Sequence, residues 1–186
     1  MARDQITVEK KYDVIVCGGG TSGVAAVICA ACAGASTLLI ERVGSLGGQM
    51  CFSGPPGFAF AHLFNPKGEQ DAAGIIEEIH SRMLSEGHAL PHIKPEHRLE
   101  AGFTYVDPDW FSITIFEMME EAGVELLLHS LVVDVTKDGD AVTGVVVENT
   151  NGTMYTKGKV IIDCTGEGDS AIRAGAPYEY VDRDTV

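Results

Sequence analysis

Residues 12–23 read YDVIVCGGGTSG, a short run of β-branched residues that stops at three consecutive glycines. An apolar run ended by glycine predicts a buried strand over 12–17. The small apolar residues of 22–33 then predict a helix, which Gly34 ends. A second apolar run, STLLIE at 36–41, predicts another buried strand. Strand, helix and strand in this order form a βαβ unit, in which the strands are parallel and the crossover is right-handed.

The glycine turn has the spacing Gly-x-Gly-x-x-Gly, formed by Gly18, Gly20 and Gly23. In such a unit the first glycine permits the sharp turn, the second leaves room for a pyrophosphate, and the third lets the helix approach the strand. The phosphates then face free N–H groups at the helix N-terminus. Glu41 ends the second strand, where a carboxylate binds the hydroxyls of an adenosine ribose. This combination predicts a dinucleotide site, and by itself it does not separate NAD from FAD.

The length and composition of the chain are typical of a single α/β domain of a soluble protein. The chain has 186 residues, 45% hydrophobic and 22% charged, which is too apolar for a disordered protein. Its net charge of −14 repels nucleic acid and anionic lipid, so we expect it to bind neither nucleic acid nor membrane. Residues 1–11 lack the apolar core of a signal peptide, and the apolar stretch 24–40 is interrupted. We expect the five cysteines to be reduced thiols of a cytoplasmic protein.

The middle of the chain is less regular. Residues 49–105 are predicted to be an irregular insertion. Within it, the helical spacing of apolar residues over 72–86 predicts an amphipathic helix, and the prolines of 88–105 predict irregular structure. Asp107 is then expected to cap a further helix, which Gly123 ends.

The last third of the chain predicts mostly strands. Residues 124–128 predict a third buried strand. Turns at 137–140 and 151–152 separate the strands of an antiparallel β-meander over 131–157. Residues 159–163 then predict a separate apolar strand. The whole pattern predicts an α/β fold with a parallel sheet and an antiparallel meander.

Four segments, taken in order, carry a family resemblance. They are DVIVCGGGTSGVAAVICAACAG (13–34), LLIERVGSLGGQ (38–49), VDPDWFSITIFEMMEEAGVELLLHSLVVDV (106–135) and VIIDCTGEGDSAIRAGAPY (160–178). Together they resemble the N-terminal part of FAD-dependent oxidoreductases with a glutathione-reductase-type Rossmann domain. The resemblance implies a three-layer Rossmann-type FAD/NAD(P)-binding domain over 1–186, and the meander favours FAD as the cofactor. It also implies an oxidoreductase that transfers hydride between flavin and an organic substrate.

The resemblance further implies roles for individual residues. The glycine turn holds the pyrophosphate, Glu41 and Arg42 lie at the adenosine ribose, and Val132 meets the adenine. The Leu-Gly-Gly segment approaches the flavin, and the Thr165-Gly166 pair ends the last parallel strand. The implied cofactor-binding residues are Gly18, Gly19, Gly20, Thr21, Ser22, Gly23, Glu41, Arg42, Gly47, Gly48, Gln49, Met50, Val132, Thr165, Gly166 and Asp169.

Members of this family extend well beyond the length of this chain, and their later part carries a substrate domain and a second segment at the flavin. We therefore expect a fragment, a split subunit or a pared-down relative. Two alternatives remain: a non-catalytic nucleotide-binding or structural subunit that needs a partner chain, and an NAD-binding domain. The expected partners are a small-molecule substrate and either a second copy of the chain or a complementary chain that completes the flavin site.

Two residues are weak candidates for catalysis. Cys51 follows the segment that the resemblance places at the flavin ring, where a thiol either takes part in redox chemistry or lines the pocket. His62 lies in an aromatic loop, where it either donates a proton near the ring or has no role.

No metal site is predicted. Cys29 and Cys32 form a CxxC pair inside the first helix, without a second pair, and are expected to pack in the core. His88 and His92 have i,i+4 spacing, but a proline between them interrupts any helix. Glu77 lies on the polar face of a predicted helix and is expected to be solvated.

Overall fold

The computed structural model describes residues 6–52, 59–61, 63–95 and 102–179. Its strands are β1 (Ile6–Cys17), β2 (Thr37–Ile40), β3 (Ala59–Ala61), β4 (Phe103–Tyr105), β5 (Glu125–Leu127), β6 (Leu131–Asp138), β7 (Ala141–Asn149) and β8 (Gly152–Asp163). Its helices are α1 (Thr21–Cys32), α2 (Gln49–Phe52), α3 (Ile75–Ser85), α4 (Pro108–Ala122) and α5 (Asp169–Ala174).

Six of the strands form one sheet in the order β5-β2-β1-β8-β7-β6. The first four of these pair in parallel, and β8, β7 and β6 pair antiparallel. The βαβ unit β1-α1-β2 lies at the centre of the parallel part. These pairings confirm the predicted α/β class, with a parallel sheet that continues into a β-meander.

The prediction of two strands over 153–163 is wrong, because residues 152–163 form the single strand β8. One end of β8 pairs with β7, and β1 follows β8 from Met154 to Asp163. Gly158 resembles a strand end in the sequence, yet it pairs with Tyr12 in the ladder. A Cβ atom at Gly158 would lie 2.8 Å from Cδ1 of Ile15. The glycine therefore makes room for a packed side chain and does not interrupt the strand.

The central strands bury both of their faces. Val16 and Leu39 pack with the helices, while Ile15 and Leu38 on the opposite face pack with apolar residues of the meander. Alternate residues of a strand point to opposite faces, so each strand serves two cores. The meander continues the sheet through β8 and packs over the face of the parallel strands opposite the helices. The result is three layers: helices, parallel strands and meander.

Two predictions about burial are wrong. The strand β5 lies at the sheet edge with Glu125 exposed, where Glu125 pairs with Lys10. Cys29 and Cys32 are exposed, because α1 buries the face that carries Val24 and Val27. The helix carries small apolar residues on all of its faces, so hydrophobicity alone does not identify which face is buried.

The insertion is more ordered than predicted. Strands β3 and β4 pair antiparallel, and an isolated bridge joins Ile93 to Phe103, so 88–105 is only partly irregular. Phe60 of β3 lies edge-on to Phe111 of α4, with ring centroids 5.6 Å apart. The insertion is therefore attached to the main core through α4.

The caps of α4 follow the prediction. The Asp107 side chain accepts hydrogen bonds from the backbone N–H groups of Asp109 and Trp110 at 3.0 and 3.2 Å. Gly123 ends the helix in the left-handed conformation, with φ 71°. Within the described ranges, none of the helices is both long and apolar enough to cross a membrane.

Candidate functional site

A cleft of about 540 Å³ opens at the carboxyl ends of β1, β2 and β8. In open α/β sheets, ligands bind in the crevice at this edge. Twelve of the predicted cofactor-binding residues line the cleft: Gly18, Gly20, Thr21, Ser22, Glu41, Arg42, Gly48, Gln49, Val132, Thr165, Gly166 and Asp169. The fold thus brings together residues that are up to 151 positions apart in the sequence.

Each glycine of the turn has its own steric reason. Gly18 has φ +105°, and a Cβ atom there would lie 2.3 Å from the carbonyl oxygen of Cys164. A Cβ atom at Gly23 would lie 1.9 Å from the carbonyl oxygen of Gly18, so α1 and β1 approach too closely for any side chain. Apart from Gly20 itself and its two chain neighbours, none of the described residues has an atom within 4 Å of a Cβ placed at Gly20. Gly20 therefore leaves space on the side of the cleft.

The N-terminus of α1 faces the same space. Gly20 is its N-cap residue, no side chain of the described residues caps it, and its first turn contains no acidic residue. The first N–H groups of a helix have no partner within the helix, and they carry partial positive charge. With Thr21 and Ser22 also lining the cleft, this end of α1 is suited to a phosphate group.

Glu41 has a structural contact that sequence reasoning missed. Its side chain is buried, and Oε2 accepts a hydrogen bond from the Gly19 N–H at 2.6 Å while Oε1 accepts one from Val43 N–H at 2.9 Å. The carboxylate therefore connects the end of β2 to the glycine turn. Each carboxylate oxygen retains a second lone pair for a ligand hydroxyl.

The Leu46-Gly47-Gly48 segment is attached directly to the glycine turn. The Gly47 N–H donates to the carbonyl oxygen of Gly19 at 2.9 Å, and Gly20 and Gly47 form a parallel bridge. A Cβ atom at Gly48 would lie 2.9 Å from Cα of Gly20. The two glycine-rich segments therefore form one continuous wall of the cleft.

Asp163, which sequence reasoning missed, holds the part of the cleft wall formed by the residues after β8. Its Oδ1 accepts hydrogen bonds from the Thr165 N–H at 3.0 Å and the Thr165 hydroxyl at 2.8 Å, and its Oδ2 accepts one from Ala171 N–H at 2.8 Å. Burial raises the pKa of the Asp163 carboxyl, but the hydrogen bonds outweigh it and the pKa lies below its usual value. Asp163 thus holds Thr165 and α5 at the cleft.

We expect Asp163→Asn to destabilise the protein most at neutral pH. A lowered folded-state pKa contributes stability that is fully present above the unfolded pKa of about 3.9 and is lost as pH falls through the folded pKa. Urea denaturation from pH 7 to pH 3 should therefore show a gap between wild type and variant that narrows in acid. The exposed Asp140→Asn is the control. A gap that stays constant down to pH 3 would refute the assignment.

The side of the cleft formed by the start of β6 is apolar. Val132 on β6 is buried beneath it, and the neighbouring Leu131 is 50% exposed. Ser130, just before them, is buried and donates its hydroxyl to the carbonyl oxygen of Leu128 at 2.9 Å. This side offers an apolar surface next to the Glu41 carboxylate.

Several predicted residues do not line the cleft. Gly19, Gly23 and Gly47 form the backbone framework behind it, and Met50 is buried in the core. The Cys51 thiol has two acceptors for its one proton, the carbonyl oxygens of Leu46 and Pro108 at 3.2 and 3.4 Å, and burial raises its pKa. A thiol in that environment stays protonated at neutral pH. His62 lies outside the described residues.

Other lining residues were not predicted. They are Ile40, Val43, Ser45, Phe52, Ser130, Leu131, Cys164 and Glu167. Each lies within three positions of a predicted residue, so proximity along the chain was the available signal.

A family model described as FAD dependent oxidoreductase matches residues 13–185 of the chain. Two curated proteins are also similar to it. The tRNA uridine 5-carboxymethylaminomethyl modification enzyme MnmG of Campylobacter hominis is 25% identical over 180 residues, covering 91% of this chain and 27% of that protein. Digeranylgeranylglycerophospholipid reductase 1 of Methanococcoides burtonii is 25% identical over 159 residues, covering 84% and 38%. The chain therefore spans about a quarter to two fifths of the length of these relatives.

Solved structures share the fold. A geranylgeranyl bacteriochlorophyll reductase-like protein of Thermoplasma acidophilum has a TM-score of 0.65 at 20% identity, covering 94% of this chain and 44% of that one. THI4 of Thermovibrio ammonificans has a TM-score of 0.62 at 18% identity, covering 88% and 61%. Since the family model extends over nearly the whole chain, this protein belongs to the FAD dependent oxidoreductase family, and its cofactor is FAD.

Proposed function

We propose that the cleft holds the ADP half of FAD, in a flavoenzyme that transfers hydride between the flavin and an organic substrate. One observation carries the proposal: the open space at Gly20 coincides with the uncapped N-terminus of α1. A pyrophosphate needs both a close approach to the backbone and N–H donors. Packing explains glycine at positions 18 and 23, where a side chain would meet backbone atoms, but it does not explain glycine at position 20.

The remaining walls suit the rest of the ADP group. Glu41 would accept hydrogen bonds from the ribose hydroxyls through its unused lone pairs, while Arg42 lies beside it at the rim. The apolar surface of Leu131 and Val132 would take the adenine. The cleft volume of about 540 Å³ lies within the range of about 300–1,000 Å³ typical of cofactor pockets.

The flavin end would lie beyond Gly48. When bound, the flavin supplies hydride acceptance and donation, while the protein supplies binding, orientation and electrostatics. Gln49 and Phe52 of α2 line that side, and the Phe52 side chain is 58% exposed. We propose that these residues border the flavin ring.

We further propose that residues 1–186 act as the cofactor-binding domain of a larger assembly. The exposed Phe52 and Leu131 side chains at the cleft support a covering surface, from a second copy or a complementary chain. Transfer to an organic substrate would require that surface. A cytoplasmic location is also proposed, supported by the five cysteines, all of which are free thiols.

Reconstitution with FAD tests the proposal. The purified chain is incubated with excess FAD, free FAD is removed by gel filtration, and the visible spectrum of the protein peak is recorded. We expect close to one flavin per chain, and NAD⁺ in large excess should not displace it. A colourless protein peak, or a flavin that NAD⁺ displaces, would contradict FAD binding by this chain.

A further inference from the structure

Three potential metal ligands converge in the insertion, apart from the cofactor cleft. Glu77 and His80 lie on α3, and His92 lies in the segment between α3 and β4. One ligand atom from each side chain lies within 4.8 Å of the others. The sequence suggested solvated charge at Glu77, but its side chain is only 34% exposed, and that of His80 is 2% exposed.

His80 carries an unused lone pair in the protein interior. Its Nε2 lies 2.9 Å from the carbonyl oxygen of Leu90, which only accepts, so Nε2 bears the proton. The lone pair of the neutral ring is then on Nδ1, which is buried and has no hydrogen-bond partner among the residues that the structure describes. A buried acceptor without a donor is costly, by about 1–3 kcal/mol. The Nδ1 atom faces Glu77, 3.8 Å from Oε1.

His92 is oriented toward the same carboxylate. Its Nδ1 lies 2.6 Å from the hydroxyl of Thr104, a fully buried residue, and its Nε2 lies 3.1 Å from Oε2 of Glu77. The imidazole rings of His80 and His92 lie over one another, with centroids 3.9 Å apart and ring planes tilted by 31°. The Thr104 hydroxyl, which can donate or accept, contacts one ring nitrogen, and the other ring nitrogen lies on the Glu77 side.

Glu77 completes the cluster as an anion. The Gln70 amide donates to Oε2 at 2.6 Å, which holds the carboxylate in place. The cluster thus combines one carboxylate with two imidazoles, each of which has its second nitrogen engaged elsewhere.

We propose that Glu77, His80 and His92 bind one divalent transition-metal ion, of which Zn²⁺ is the representative, through a carboxylate oxygen, Nδ1 and Nε2 respectively. Imidazole and carboxylate are ordinary zinc ligands, and ligating histidines donate their other N–H to a protein acceptor, as Leu90 and Thr104 provide here. Zn–N and Zn–O bonds are about 2.0–2.2 Å long, so small side-chain rotations close the cluster around an ion. The fourth ligand position is left to water.

Zinc titration of a variant without the exposed cysteines of α1 tests the proposal. Cys29 and Cys32 are exposed thiols on α1 and would bind zinc themselves, so Cys29→Ser and Cys32→Ser define the background chain. The tag-free 186-residue chain is titrated with Zn²⁺ by calorimetry, and with Co²⁺ by visible absorption. We expect one equivalent of metal per chain and a higher melting temperature in its presence.

Substitutions identify the ligands. In the background chain, Glu77→Gln and His92→Phe are each expected to weaken zinc binding at least about 100-fold, with circular dichroism confirming the fold. His88→Phe is the matched control. His88 lies in the same segment as His92, but it stacks on Trp110 and is not one of the three residues of the cluster. The proposal is overturned if the background chain shows no saturable zinc binding. It is equally overturned if either cluster variant binds zinc within tenfold of the background chain, or if His88→Phe weakens binding as much as they do.

Discussion

Gly20→Val is expected to abolish FAD retention while leaving the fold intact. Gly20 has φ −70° and ψ −178°, an extended conformation that valine adopts readily. Apart from residue 20 and its two chain neighbours, none of the described residues has an atom within 4 Å of the added Cβ, so the valine side chain would project into the cleft. It would separate the pyrophosphate from the α1 N–H groups. Loss of about two charge-assisted hydrogen bonds weakens binding by at least about 100-fold.

Flavin fluorescence titration measures the loss, and urea denaturation checks the fold. Ala33→Val, at the opposite end of the same helix, is the control, since it adds a comparable side chain far from the cleft. We expect the control to retain one flavin per chain. If Gly20→Val bound FAD within tenfold of wild type, the pyrophosphate would not lie at this turn.

Gly18→Ala is expected to damage the fold itself. Alanine at φ +105° is strained, and its Cβ would lie 2.3 Å from the carbonyl oxygen of Cys164, a backbone atom of the neighbouring segment. Backbone strain and overpacking each cost about 1–3 kcal/mol, so we expect the free energy of unfolding to fall by about 2–5 kcal/mol. FAD retention would fall with it, because the turn could not keep its shape.

Urea denaturation of Gly18→Ala and Gly20→Ala makes the comparison direct. The same methyl group is added at two positions two residues apart, and only Gly18 has a positive φ and a steric clash. Gly20→Ala is expected to cost about 1 kcal/mol or less, from the weaker N-cap. Equal destabilisation of the two variants would show that the close approach to Cys164 has no energetic consequence.

Local signals account for the parts of the fold that were predicted correctly. The βαβ unit, the caps of α4 at Asp107 and Gly123, and the turns of the meander follow from residues adjacent in the chain. Most residues implied at the cleft also line it, because the motifs fall at the carboxyl ends of parallel strands and those ends meet at one edge. The roles of Cys51 and His62 stay predictions.

Most of the errors concern partners that are distant in sequence. The continuity of β8 through Gly158 depends on Ile15, which packs against it from another strand. The pairing of β3 with β4 joins segments more than forty residues apart. The i,i+4 spacing of His88 and His92 did not indicate the Glu77, His80 and His92 cluster, because His92 contacts α3 across the fold while His88 stacks on Trp110.

The sequence alone determined the βαβ unit, the dinucleotide motif and the family resemblance, because each is encoded in residues close along the chain. Only the tertiary structure decided why each glycine of the turn is there: Gly18 and Gly23 avoid backbone atoms, whereas Gly20 leaves open space. It also decided that Glu41 and Asp163 hold the cleft together through backbone N–H groups. These contacts depend on distances across the fold, which spacing in one sequence does not contain.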